Sequence, residues 1–254
     1  MASSTGILTA GFCDLMGIKE KWYYGIFALL STLVVYNGQR IFKSTSAFQT
    51  PWLSWVNREK KRIIIFISLS GIIAGAVLFS FLNIGVYPIG LLALVGILCL
   101  FYVVKIRGKN LRDLPGIKIH IIAFTWTAIL ICFPLINNQI WDDLLLYAAA
   151  HYCYILAVTI PFDIRDLKFD SPNQKTIPQV FGVIGSKVLA IALLFGFYFL
   201  MVFALPELAE NPIFYLAILL QAGLILLMNE KRGDLYCAGL IDGSIALLGG
   251  SYFF

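Results

Sequence analysis

Charge is what this chain has least of. Only 13% of its 254 residues are Asp, Glu, Lys or Arg, against about 25% in an ordinary soluble domain. With 60% hydrophobic residues and a mean hydropathy of +0.86, that scarcity excludes a soluble globular domain. It points instead to a polytopic membrane protein. Cysteine is sparse too. Cys13, Cys99, Cys132, Cys153 and Cys237 sit in apolar stretches with no CxxC spacing, which excludes a disulfide framework or a zinc site. No Lys or Arg precedes Lys19, so the basic start of a signal peptide is missing. No internal repeat and no low-complexity linker divides the chain, and residues 1–254 read as a single domain. A net charge of +5 raises nucleic acid as a partner. The basic residues, however, lie in connections between apolar runs, where membrane topology accounts for them with no nucleic acid.

The apolar runs predict helices at about 22–42, 62–83, 86–105, 117–137, 141–162, 183–205, 211–229 and 235–253. A weaker one over 4–18 is short and carries Asp14, so it reads as a truncated or interfacial first helix. Most runs approach the ~20 residues needed to span a bilayer. The fold class is all-α: a transmembrane bundle of eight to nine helices. All Lys and Arg except Lys19 and Lys21 fall in the connections 40–62, 105–118, 163–187 and 230–234. With a first helix present, these four connections share one face. The positive-inside rule makes that face cytoplasmic, and both chain ends are expected on the opposite one. Trp22, Tyr23, Tyr24, Trp52, Trp55 and Trp141 cluster at span ends, as an aromatic belt does.

Against this apolar background one polar segment stands out. Asp163, Asp166 and Asp170 come where an apolar helix runs out. Their i, i+3, i+7 spacing puts them within about 60° on a helical face. Like charges so close repel, and they are tolerable in water, against cations or around a divalent metal. Hard oxygens with open coordination positions suit Mg²⁺ carrying phosphates. Lys175 and Thr176 follow with a cation and a hydroxyl, and Lys105 and Arg107 in the preceding basic loop have the polarity for the same anion. An exposed, solvated face for the carboxylates and plain topology signals for the cations are the simpler alternatives.

The stretch Phe162-Asp-Ile-Arg-Asp-Leu-Lys-Phe-Asp170, with Lys175-Thr176 after it, resembles the second aspartate-rich motif of the UbiA superfamily of intramembrane prenyltransferases. Tyr102-x-x-Lys105-x-Arg107 and Leu111-Arg-Asp-Leu-Pro-Gly-Ile-Lys118 resemble that family as well. The resemblance implies nine helices around a cavity and transfer of a prenyl group from a prenyl diphosphate to a lipophilic, often aromatic, acceptor. It makes Asp163, Asp166 and Asp170 the catalytic Mg²⁺ ligands. Tyr102, Lys105, Arg107 and Lys175 become contacts to the diphosphate. The first motif is different. Asn37 matches it, but Gly38, Ile41 and Thr45 stand where the family has aspartates, with Arg40 and Lys43 between them. Asn37 and Arg40 are therefore candidate substrate contacts, with Arg40 gripping phosphate directly. Equally, Arg40 and Lys43 could pair with Asp163 and Asp166 and close the site. Mg²⁺ is expected to bind only together with diphosphate.

Three function classes follow: a prenyltransferase, a non-catalytic relative that binds isoprenoid lipid or a membrane partner, and a small transporter built around Asp242. Asp242 sits deep in the last helix, where an ionisable residue is a functional candidate by default. His151 reads as an interior His with its polar atoms satisfied, and His120 as a residue facing headgroups. Cysteine-accessibility labelling tests the map of faces. Cysteines at positions 54 and 173 should react from the same, cytoplasmic, side, and labelling from opposite sides would sink the map.

Overall fold

The computed structural model describes residues 1–43, 51–104 and 110–254. Ten helices account for almost all of it: α1 Ala2–Leu15, α2 Lys21–Lys43, α3 Pro51–Arg58, α4 Lys60–Phe81, α5 Val86–Val103, α6 Ile117–Asn137, α7 Leu144–Asp166, α8 Ile177–Ala204, α9 Pro212–Leu226 and α10 Asp242–Ser251. Five of them, α4 to α8, are long and apolar enough to cross a membrane, and the chain is an integral membrane protein. In lipid each backbone polar group must be satisfied within the segment, which is why β-branched runs such as Ile63-Ile-Ile in α4 stay helical.

Side-chain chemistry sets the helix ends. α9 starts where Asn211 accepts from the backbone N–H of Ile213 at 2.9 Å and of Phe214 at 3.0 Å, with Pro212 as the first helical residue. α8 begins at Ile177, a turn and a half earlier than the apolar run suggests. Gly182, at φ 68° and ψ 174°, interrupts it, a backbone shape that a residue without Cβ adopts readily. α7 continues through Pro161 to Asp166, so Asp163 and Asp166 ride on its last turn rather than in a loop. α3 occupies part of the expected 40–62 connection. At 8 residues it is about 12 Å long, too short to cross.

Two π-helical turns break the regular pitch. One, Ala128–Cys132, lies within α6 just before Pro134, and the other, Tyr236–Ile241, leads into α10. Such bulges gather at functional sites. The first lines the cavity described below through Ile129 and Leu130, and the second ends beside Asp242, which lines it too.

α1 is short, at 14 residues, and it packs inside the bundle rather than at its edge. It is buried along most of its length, from Ser4 to Cys13, between α2 and α10. Glycines permit the approach. A Cβ on Gly25 would stand 2.7 Å from the carbonyl oxygen of Gly6, and a Cβ on Gly249 would stand 2.4 Å from Leu8 Cα. Small residues at crossings are how membrane helices come close. Phe12 of α1 then packs edge-on against His151, at 5.0 Å between ring centroids. His151 is satisfied in place, with Nδ1 2.9 Å from the Tyr147 carbonyl and Nε2 3.2 Å from the Tyr252 hydroxyl.

The two ends of the bundle carry different polar clusters. At one end Tyr24 Oη accepts from Asn137 at 2.6 Å and Asn138 at 2.8 Å, and Asn137 also donates to Leu82 O at 2.7 Å. Phe253 stacks on Trp22 there. At the other end Gly116 N–H donates to Gln174 O at 2.8 Å, beside the aspartates. The Met1 nitrogen lies at this second end, 3.4 Å from Asp242 Oδ2. Residues 1 and 253 therefore lie at opposite ends of the bundle, not on the shared face expected from sequence. The nine runs expected from the sequence, crossing in turn, would themselves put the two ends on opposite faces.

Gly249→Ala tests the glycine crossing. Its Cβ meets backbone on α1, so overpacking of about 3 kcal/mol is expected, seen as a melting temperature lowered by about 6 °C or more. Gly75→Ala, whose Cβ meets nothing within 4 Å, should leave melting unchanged or slightly raised. Equal melting of the two variants would remove the crossing from the account.

Candidate functional site

A cavity of about 260 Å³ lies among α2, α5, α6, α7 and the start of α10. Val35, Val95, Ile122, Trp126, Leu130, Val158 and Phe162 give it apolar walls. Its polar end is made by Tyr102, Arg112, Lys118, Asp163, Arg165 and Asp166. Ser31, Thr32, Thr125 and Thr159 add hydroxyls along the sides, and Asp242 and Met1 form a second polar patch.

The aspartates do not stand free. Lys118, the second residue of α6, sends Nζ to within 2.7 Å of Asp163 Oδ1 and 3.2 Å of Asp170 Oδ2. Lys118 is 8% exposed and Asp163 2%, so this three-member ion cluster is nearly dry. Asp166 takes a separate partner. Arg165 donates from Nε at 2.7 Å and from Nη2 at 3.1 Å, and its Nη1 reaches Asp234 at 2.9 Å. Some buried polar atoms have no hydrogen-bond partner among the described residues: Asp163 Oδ2, Asp242 Oδ1 and Arg112 Nε, each on a residue lining the cavity. Buried polar atoms are costly to leave unmatched, so these three are the natural contacts for a ligand.

The expected site residues fall into three groups. Asp163, Asp166 and Tyr102 line the cavity, and Tyr102 is 5% exposed. Asp170 lies beyond the end of α7 in a turn closed by its N–H to Asp166 O at 2.9 Å. It reaches the cluster through Lys118 and is not among the lining residues. Asn37, Arg40 and Lys175 are not brought to the cavity wall. The Asn37 amide donates back to Leu33 O at 2.9 Å, and the Arg40 guanidinium lies over the Tyr36 ring at 4.0 Å from its centroid. Lys175 is exposed, in a left-handed conformation. From α2 it is Tyr36 and Gln39 that face the cavity. Lys105, Arg107 and the Lys43 side chain lie outside the described residues.

Lys118, Arg112 and Arg165 also belong to the cavity wall, beyond the residues expected from the motifs. A signal for Lys118 was present. A lysine at the start of the apolar run Ile117-Lys-Ile-His-Ile-Ile must find a carboxylate. The pairing considered for Arg40 and Lys43 is made by Lys118 and Arg165.

A Mg²⁺ site needs several hard oxygens around one point. Among the described residues no three His, Cys, Asp or Glu side chains converge in that way. The ammonium of Lys118 stands between Asp163 and Asp170, where an ion would have to sit. As placed, these residues do not fit the metal.

No protein-family model matches the chain, and no curated protein does. In fold it is similar to a solved structure, the apo structure of a UbiA homolog from Aeropyrum pernix K1. The TM-score is 0.66 at 14% identity, over 99% of this chain and 93% of that one. The likeness is one of architecture.

Removing one member of a buried ion pair leaves its partner charged and dry, at a cost of about 3–5 kcal/mol. Lys118→Met should therefore lower stability by that order in denaturant or thermal unfolding. Asp234 is 86% exposed, and Asp234→Asn should cost under about 1 kcal/mol. Equal losses would mean that the Lys118 cluster is solvated.

Proposed function

We propose that the protein is a UbiA-like prenyltransferase. It takes a prenyl diphosphate into the cavity and transfers the prenyl group to a lipophilic acceptor at the cytoplasmic membrane face. The observation that carries this reading is a cavity whose polar end presents Arg112 and Lys118 and whose walls are apolar, within a fold shared with a UbiA homolog. Arg112 and Lys118 offer charge-assisted hydrogen bonds to phosphate oxygens. Phe162 and Trp126 offer ring faces to a developing allylic cation. In the transfer the allylic C–O bond breaks and its electron pair leaves with the diphosphate. The acceptor's electron pair forms the new bond to carbon, and its displaced proton goes to the departing diphosphate. The protein neutralises the leaving group, holds the chain extended and keeps water from the cation. The basic connections on the cavity side support a cytoplasmic placement.

One observation favours a second reading, that of a relative which binds isoprenoid lipid without turnover. Asp163, Asp166 and Asp170 each carry a cation already. The α2 segment supplies Gly38 and Ile41 where the resembled motif has carboxylates.

Binding and release separate the two. Detergent-purified protein should bind geranyl diphosphate, and it should release diphosphate when a membrane lipid extract supplies acceptors. Arg112→Ala should weaken binding about tenfold, the loss of one hydrogen bond to a charged group. Binding without release in any extract would favour the second reading, and no binding would overturn both.

A further inference from the structure

We propose that Lys118 is a built-in cation standing in the place of a metal ion between Asp163 and Asp170. The cavity then takes an anionic headgroup, a diphosphate or a phosphate, without a divalent metal. The headgroup assignment rests on the reading above, whereas the role of Lys118 does not.

Three observations carry this. The first is placement. Lys118 Nζ bridges the two carboxylates at 2.7 and 3.2 Å, and the Asp170 side chain is only 6% exposed. A divalent ion entering there would have to displace the ammonium from both carboxylates and break a buried ion cluster. The second is the opposite wall. α2 presents Ser31, Thr32, Val35, Tyr36 and Gln39 to the cavity, all of them neutral, so no carboxylate from that side could complete a metal's coordination. Two-metal clamps need oxygens on both sides of the transferred group.

The third is the set of donors left over. An ammonium has three hydrogens; two face carboxylates, and the third belongs to a side chain that lines the cavity. Arg112 Nε, also on the wall, has no partner among the described residues. Together they can hold two phosphate oxygens. Asp163 Oδ2, buried and without a partner among the described residues, then accepts from a protonated phosphate oxygen, which relieves the repulsion between carboxylate and anion. A fixed ammonium delivers one positive charge where a divalent ion delivers two, but it is permanently in position and needs no free metal.

The test uses the full chain in detergent, with Mn²⁺ as an EPR-visible probe and geranyl diphosphate as the headgroup. Wild-type protein should leave Mn²⁺ free, while Lys118→Gln, which vacates the position, should bind it at least about tenfold more tightly. Wild-type affinity for geranyl diphosphate should agree within about twofold between EDTA and Mg²⁺ buffers. Lys118→Arg, which keeps the charge, should retain this insensitivity to EDTA. Tight Mn²⁺ binding by wild type would overturn the proposal. So would equal Mn²⁺ affinity in wild type and Lys118→Gln, or a tenfold or greater loss of ligand in EDTA. The wild-type arms decide even if Lys118→Gln does not fold. If wild type binds geranyl diphosphate in neither buffer, the prenyl diphosphate reading falls, and the Mn²⁺ titration still decides the role of Lys118.

Discussion

The rest of the polar end depends on one ammonium. Lys118 ties the start of α6 to the last turn of α7 through Asp163, and to the turn beyond α7 through Asp170. Breaking such a pair from one side is far more costly than never having made it. The pair therefore sets geometry more than it adds stability. With the α6 start and α7 end fixed together, Tyr102 and Arg112 are held against the same wall, and Gly116 N–H reaches the Gln174 carbonyl across the loops. Arg165 makes a second tie, from Asp166 to Asp234 in the connection before α10. Three loops are thus joined at one end by cations drawn from within the bundle.

What lies beneath is set by backbone proximity rather than charge. α1 fits between α2 and α10 because Gly6, Gly11, Gly25 and Gly249 have no Cβ at the crossings. That brings α10 and its π-helical entry close enough for Asp242 to reach the cavity. Side chains larger than hydrogen there would push α10 outward and open the cavity wall to lipid. The polar wall and the glycine crossings are therefore coupled: one orients α6 and α7, the other closes the space between them and α10.

The helical bundle was legible in the chain because apolar runs of ~20 residues leave little choice in a bilayer. The positions of α4 to α7 follow from them closely. The shortness of α1 is legible, but its burial is not, because a glycine contact is invisible until the partner helix is known. The end of α7 was misjudged because Pro161 looks like a terminus, yet the helix runs through it to Asp166. Of the residues that line the cavity, Asp163 and Asp166 stand out by spacing and Tyr102 by its motif. The cation of the carboxylates does not. Lys118 lies 45 residues from Asp163, and nothing in the local pattern says which carboxylate a lysine at a helix start will meet. Asn37 was misread for the opposite reason. A motif match fixes the residue type but not the rotation of the helix, and α2 turns Tyr36 and Gln39 inward instead.

The aspartate spacing then has a different physical meaning from the one it first suggests. An acidic triad is held in place by whatever neutralises it, and here that is Lys118 and Arg165. Remove a carboxylate and a buried cation is stranded; remove the cation and two carboxylates repel in a dry pocket. The triad and its cations constrain one another whether or not any metal ever binds. On the α2 side no carboxylate faces the cavity, so no cation is needed to balance one. The two halves of the site are consistent with each other: the acidic half carries its own counter-charge, and the neutral half needs none. On the proposed reading an anionic headgroup would meet Lys118 at the start of α6 and Arg112 in the turn before it, and an apolar tail would lie along the wall of Val35, Val95, Leu130 and Val158.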